Sequence, residues 1–209
     1  NDYGAPVISA NVARLLDHGE TTAVLTQVAK ALGGIDLVHL TKQPTTFGGL
    51  ENPFVLPRSL LHHAGAHRII LGSDWTAYYN SQRSGKSRRR LREKASALQK
   101  LGPVSLRFAQ NGRQKAELVD LCLGLKIRQI ERLGHWNPFH DEQVRTLLAS
   151  HAFEDRRDAV WAVSLDVGGA SAAIAFGFTG RSGWLLYQMA MTEGPASQHS
   201  PGIHLLHHL

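Results

Sequence analysis

The residues best placed to do chemistry lie near the C-terminal end, in Pro195-Ala-Ser-Gln-His-Ser-Pro-Gly-Ile-His-Leu-Leu206. Ser200-Pro201-Gly202 reads as the opening of an apolar helical stretch. Proline suits a first helical turn, because its missing N–H had no helical partner there. The Ser200 hydroxyl can cap the free N–H groups. Three apolar runs, 159–167, 171–179 and 183–191, lead into this turn. A meander of strands feeding a helix N-terminus is a physical anion site, since unpaired N–H groups and the positive end of the dipole face one point. Gly202 would let an anionic ligand approach the backbone closely.

A second feature is the basic run 83–94. It carries Arg83, Lys86, Arg88, Arg89, Arg90, Arg92 and Lys94 against Glu93 alone, a local charge of +6 that equals the net charge of the whole chain. Successive helical residues step around by about 100°, so Lys86, Arg89, Arg90 and Lys94 share a face. That face is either an anion contact or simply solvated. No aromatic side chains interleave the charges, which weighs against a single-strand nucleic-acid platform.

The chain has 12 histidines, with His62-His63-Ala-Gly-Ala-His67 and His204-Leu-Leu-His207-His208 at spacings able to hold zinc. Neither cluster contains a glutamate and no His-Glu-x-x-His occurs, so no metal is expected. His204 and His207 are expected on the exposed side of the last helix. Cys122 is the single cysteine. It excludes an intramolecular disulfide and lies in an apolar helical run, the setting of a small core residue. The lack of bridges fits the cytoplasm. No Walker loop, nucleophile elbow or dinucleotide fingerprint is present.

These residues need elements to position them, and 209 residues with 43% hydrophobic content suffice for one large or two small domains. No apolar stretch reaches the length of a membrane span, and no secretory leader is expected at the first residues. Apolar spacing predicts one amphipathic helix over 12–32, interrupted at His18-Gly19, then a strand at 35–40. A loop over 41–58, a short helix over 57–64 and a strand at 67–71 follow. Residues 74–101 read as a helix in two parts, capped by Asp74 and bent near Ser84-Gly85. Tyr78, Leu91, Ala95, Leu98 and Leu101 form its apolar edge. A strand at 104–109 precedes a helix over 116–133, with Leu118, Leu121, Cys122, Leu125, Ile130 and Leu133 inward. A helix over 141–152 comes next. The three apolar runs predict an antiparallel meander with its first turn at Gly168-Gly169, and a helix starting within two residues of Pro201.

In this order the chain resembles the CelD/BcsL-type acetyltransferases of the GNAT superfamily, which are related to the FemAB tandem-GNAT proteins. The residues that carry the resemblance begin with Asn1-Asp-Tyr-Gly-Ala-Pro6. Asp74-Trp-Thr-Ala-Tyr-Tyr-Asn-Ser81 and Lys86-Ser-Arg-Arg-Arg-Leu-Arg92 follow, then Leu125-Lys126, Trp136-Asn-Pro-Phe139 and Gln198-His-Ser-Pro-Gly202. The resemblance implies an α/β, GNAT-like fold: a mixed, mostly antiparallel sheet with flanking helices, in tandem and truncated at both ends. It divides the chain into the end of a degenerate first domain (1–72), a basic bridging helix (73–102) and most of a second domain (103–209). The usual GNAT tyrosine acid would lie beyond Leu209.

It implies transfer of an acyl group from acyl-CoA to an amine or hydroxyl, in exopolysaccharide or envelope synthesis, with no metal. The donor would sit on Gln198, Ser200, Gly202 and Ile203, whose Gly202 and Ile203 amides should face a cleft. Gly202→Asp should then abolish binding without disturbing the fold. By position, Glu193, Tyr187 and His199 are the candidates for the base that deprotonates the acceptor. Lys86, Arg89, Arg90 and Lys94 are the candidates for an anionic partner, a small molecule, glycan or envelope acceptor. Two other readings stay open: an aminoacyltransferase fed by aminoacyl-tRNA, and a binding module without catalysis.

Overall fold

The computed structural model describes residues 8–47, 49–60, 69–70, 72–153, 160–180 and 183–209. The expectations at Asn1–Pro6 and at His62, His63 and His67 fall outside them. The chain divides into two compact units between Leu71 and Gly72.

In the first unit the predicted long helix is two helices, α1 (Ala10–Leu15) and α2 (His18–Ala31). The break is made by Asp17. Its side chain accepts from Glu20 N at 2.8 Å while the Glu20 carboxylate accepts from Asp17 N at 2.8 Å. This capping box starts a fresh helix. The strand expected at 35–40 is absent, and none of residues 57–60 and 69–70 is helix or strand. The predicted loop instead holds a short ladder, β1 (Thr46–Phe47) with β2 (Leu50–Glu51). Among the described residues no strand pairs with 35–40, and unpaired backbone does not make a sheet.

The second unit opens with α3 (Trp75–Gln82) and α4 (Gly85–Leu101). The Asp74 carboxylate accepts from Ala77 N at 3.0 Å and Ser84 Oγ from Ser87 N at 3.2 Å, which fixes the bend at Ser84-Gly85. Leu91 and Leu98 are buried, whereas Leu101 is exposed. Strand β3 (Val104–Phe108) is followed by α5 (Gly112–Arg132). This helix starts earlier than its apolar pattern because Asn111 Oδ1 caps Gln114 N at 2.9 Å. Its buried face holds Leu118, Val119, Cys122, Leu123 and Leu125. Leu121 and Leu133, expected inward, are exposed. A 3-10 turn and α6 (Glu142–Phe153) complete this layer.

The meander forms as the sequence predicts, with β4 (Val160–Val167), β5 (Ala170–Gly180) and β6 (Gly183–Met191). With β3 they make a four-stranded antiparallel sheet in the order β3-β4-β5-β6. Gly168 (φ 60°) and Gly169 (φ 83°) supply the two positive φ values that a two-residue hairpin turn of matching twist requires. A 3-10 turn, Pro195–His199, leads into α7 (Pro201–His207).

Alternation along β4 builds two cores. Val160 and Ala162 join Ile174 and Phe176 against α5. Val163, Leu165 and Val167 join Ala173 and Ala175 against Leu98 of α4 and Leu205 of α7. The sheet is thus sandwiched between α5 and α6 on one face and α4 and α7 on the other. Strand β4 is buried along its whole length, as expected of a strand covered on both faces. Helix α4 packs on this sheet within the second unit.

Candidate active site

Strand β6 carries one of the two register irregularities of the sheet, the other lying between β4 and β5 at Leu165–Asp166. Phe176 pairs with Gln188 but Gly177 pairs with Leu186, so Tyr187 is an extra residue on β6. Such a bulge sets two residues of one strand against one of its partner and bends the strand. It requires glycine opposite. A Cβ on Gly177 would run into the Leu185 carbonyl and lie 2.7 Å from Trp161. The Tyr187 ring sits 5.6 Å from those of both Phe176 and Phe178. Tyr187 is half-buried, a wall of the core as much as a candidate for chemistry.

Past the bulge, β6 runs into a groove of about 410 Å³. Arg128, Gln129 and Arg132 of α5 form one side, Thr192, Glu193 and Ser197 the other, and Leu125 and Met191 are also among its lining residues. The Arg132 guanidinium donates to the Glu193 carboxylate at 2.7 Å, with both side chains largely in water. Exposed pairs of this kind contribute about 0.2–1 kcal/mol, so the pair orients Glu193 more than it stabilises the fold. Sequence reasoning missed Arg132, although its spacing from Arg128 on one helix puts the two on one face. The residues lining this groove do not include Tyr187, His199 or Gln198.

The turn before α7 differs from expectation in four ways. Ser200 makes no cap bond. It is in the left-handed region (φ 56°, ψ 53°), and its Oγ accepts from Lys94 Nζ of α4 at 2.5 Å. The Ile203 N–H is bonded to the Ser200 carbonyl at 3.0 Å, so it is not free for a ligand. Gly202 is turned towards the sheet. A Cβ there would meet Met189 at 3.1 Å and Met191 at 3.3 Å. Its missing side chain thus serves the seating of α7 on β6. His204, expected in solvent, is buried. Gln198 is exposed and His199 half-buried on the same turn.

The basic face also splits. Lys86, Arg89 and Arg90 are exposed, while Lys94 is half-buried against Ser200. Arg89 pairs with Glu93 at 3.3 Å, and Arg88 bonds the Asn80 side chain.

Two polar features are structural. Asp166 accepts from Arg107 Nε at 2.9 Å and also bonds Ser164 and Ser171. Burial pushes its carboxyl upward, but those three bonds outweigh it and hold it below its ordinary 3.8. Cys122 is fully buried, and burial pushes its thiol up to about 12, which leaves no thiolate for chemistry at neutral pH. Among the described residues no three His, Cys, Asp or Glu side chains gather as a metal site. No described helix is long and apolar enough to cross a membrane.

The second unit is thus a three-layer α/β arrangement whose antiparallel meander ends in a bulged strand, a glycine-bearing turn and a helix. Residues 85–209 match the family described as the Acetyltransferase (GNAT) domain, and the chain belongs to that family. Helix α4 is the first element inside the match, and α7 is the last. No curated protein matches the chain.

Proposed function

We propose that this chain moves an acyl group from acyl-CoA to an amine or hydroxyl, with Glu193 as the base and the turn 198–202 holding the donor. The single observation that carries this reading is the groove at the end of β6, where Glu193 faces Arg132 and Ser197 of the turn before α7 is among the lining residues. The turn fits the anionic half of the donor: the Lys94 ammonium stands at Ser200, and the Gly202 amide has no partner among the described residues. The donor supplies an activated acyl carbon and a thiolate leaving group. Glu193 takes the proton that the attacking nitrogen or oxygen gives up as the new bond forms and the C–S bond breaks, within the range of about 10²–10⁴ that positioned bases contribute.

The acceptor is proposed to be small or glycan-borne and processed in the cytoplasm, for exopolysaccharide or envelope synthesis. The exposed Lys86, Arg89 and Arg90 are the contact for its anionic groups. Residues 1–71 fit the reading of a reduced partner domain in a tandem arrangement. The test is calorimetry of the full chain with acetyl-CoA beside tRNA. Saturable acetyl-CoA binding supports the reading, and binding of tRNA alone replaces it with the aminoacyl-tRNA alternative. Binding of neither leaves a module without catalysis.

A further inference from the structure

Among the described residues His204 is the one buried histidine, only 6% exposed, and its Nε2 is buried without a hydrogen-bond partner. It sits on the inner side of α7, which packs on β4, β5, β6, α4 and the Pro195–His199 turn. Each of those elements decides what a proton on the ring would meet. From α4 comes Lys94, and the acidic neighbour on that helix, Glu93, is paired with Arg89. Helix α7 itself contributes His207 and His208. Arg83, at the end of α3, faces His207, whose ring also packs edge-on against Tyr79 at 4.9 Å. The turn contributes His199. The three strands contribute one charged side chain, Asp166, which is held by Arg107, Ser164 and Ser171. The groups these elements bring around His204 are therefore cations or imidazoles, and the two carboxylates among them are already held by Arg89 and Arg107.

We propose that His204 is a proton-operated latch: neutral, it lets α7 seat against α4 and the sheet, and protonated, it unseats α7 together with the turn that leads into it. Burying an imidazolium among cations with no free counter-charge is costly, so the proton is taken up by the released helix. Burial first, then His207, His208 and Lys94, hold the ring below its ordinary 6.5 in the seated state. The seated state thus binds fewer protons than the released one. Its stability is whole above about 6.5 and falls as the pH drops from there towards the lowered value. Histidine is the side chain whose ordinary range makes this a mild-acid event. Because Ser200 and the Pro195–His199 turn precede the helix, they would be released with it. The latch stands whether or not the chain transfers acyl groups.

The experiment is backbone hydrogen exchange of the full chain between pH 7.5 and 5.5, corrected for the intrinsic pH dependence of exchange. Protection over 201–207 should fall several-fold at the lower pH, towards a limit of about tenfold for one histidine, while β4 and β5 keep theirs. His204→Gln should remove most of that response; His207, which burial and Arg83 also hold below 6.5, accounts for a smaller part. Unchanged protection in the wild type, or an undiminished response in folded His204→Gln, overturns the latch. If His204→Gln does not fold, the wild-type ring decides by NMR titration. A midpoint below 6.5 with α7 signals shifting in step supports the latch, and a midpoint at or above 6.5 with α7 still seated rejects it.

Discussion

The Lys94 ammonium and the Ser200 hydroxyl, 106 residues apart in the chain, meet at 2.5 Å. The bond ties the basic helix α4 to the turn that opens α7, and it holds Ser200 in a left-handed conformation that a side chain rarely adopts. Lys94→Met should weaken acetyl-CoA binding by about tenfold, the scale of one charge-assisted hydrogen bond. Lys94→Arg should recover part of it. Calorimetry on the three proteins checks this, and equal affinities would remove Lys94 from the donor site.

Glu193 and Tyr187 are separable as bases. Glu193→Gln keeps the shape of the groove but cannot take a proton, so kcat should fall by about a hundredfold with little change in KM. Tyr187→Phe keeps the packing on Phe176 and Phe178 and should leave kcat within a few-fold. Steady-state kinetics with an amine acceptor reads both. The reverse ranking would move the base onto the bulge.

Gly202→Asp is not the clean probe that the sequence suggests. Its side chain would be driven against Met189 and Met191, and overpacking together with a buried carboxylate should cost about 2–3 kcal/mol. Urea unfolding should show the loss even without acyl-CoA. Gly202→Ala should cost about 1 kcal/mol, since flexible methionines can yield.

Asp166 makes the sheet acid-sensitive. Its folded carboxyl titrates below 3.8, so its contribution is whole above that value and is lost as the pH falls through the lowered one. Asp166→Asn should destabilise the chain by about 2 kcal/mol at pH 7, by weakening a charged network. The gap from wild type should narrow below pH 3.8 in pH-dependent denaturation curves.

Cys122 should be silent to thiol reagents. Buried, with its thiol pushed up to about 12, it should react only after unfolding. Rapid labelling of the native protein would mean that α5 opens from the sheet.

Much of the second unit is legible in the sequence, because its signals are local. Two apolar runs around Gly168-Gly169 have one good solution, a hairpin. Asp74, Ser84 and Gly85 punctuate helices wherever they occur. The first unit is less legible. An apolar stripe over 12–32 reads as one helix, but the Asp17–Glu20 reciprocal bonds cut it, and among the described residues no strand pairs with 35–40.

The site divides in the same way. Sequence alone placed a helix start at Pro201, a basic face on α4 and a core thiol at Cys122, since each depends on near neighbours. Only the tertiary structure decided that Lys94 leaves that basic face for Ser200, that Gly202 serves the packing of α7, and that Glu193 meets Arg132 across a groove. It also decided that His204 lies buried among cations. Each of these joins residues far apart in the chain. Such contacts depend on how layers pack and how one bulge bends β6, and no spacing along a single strand or helix encodes that.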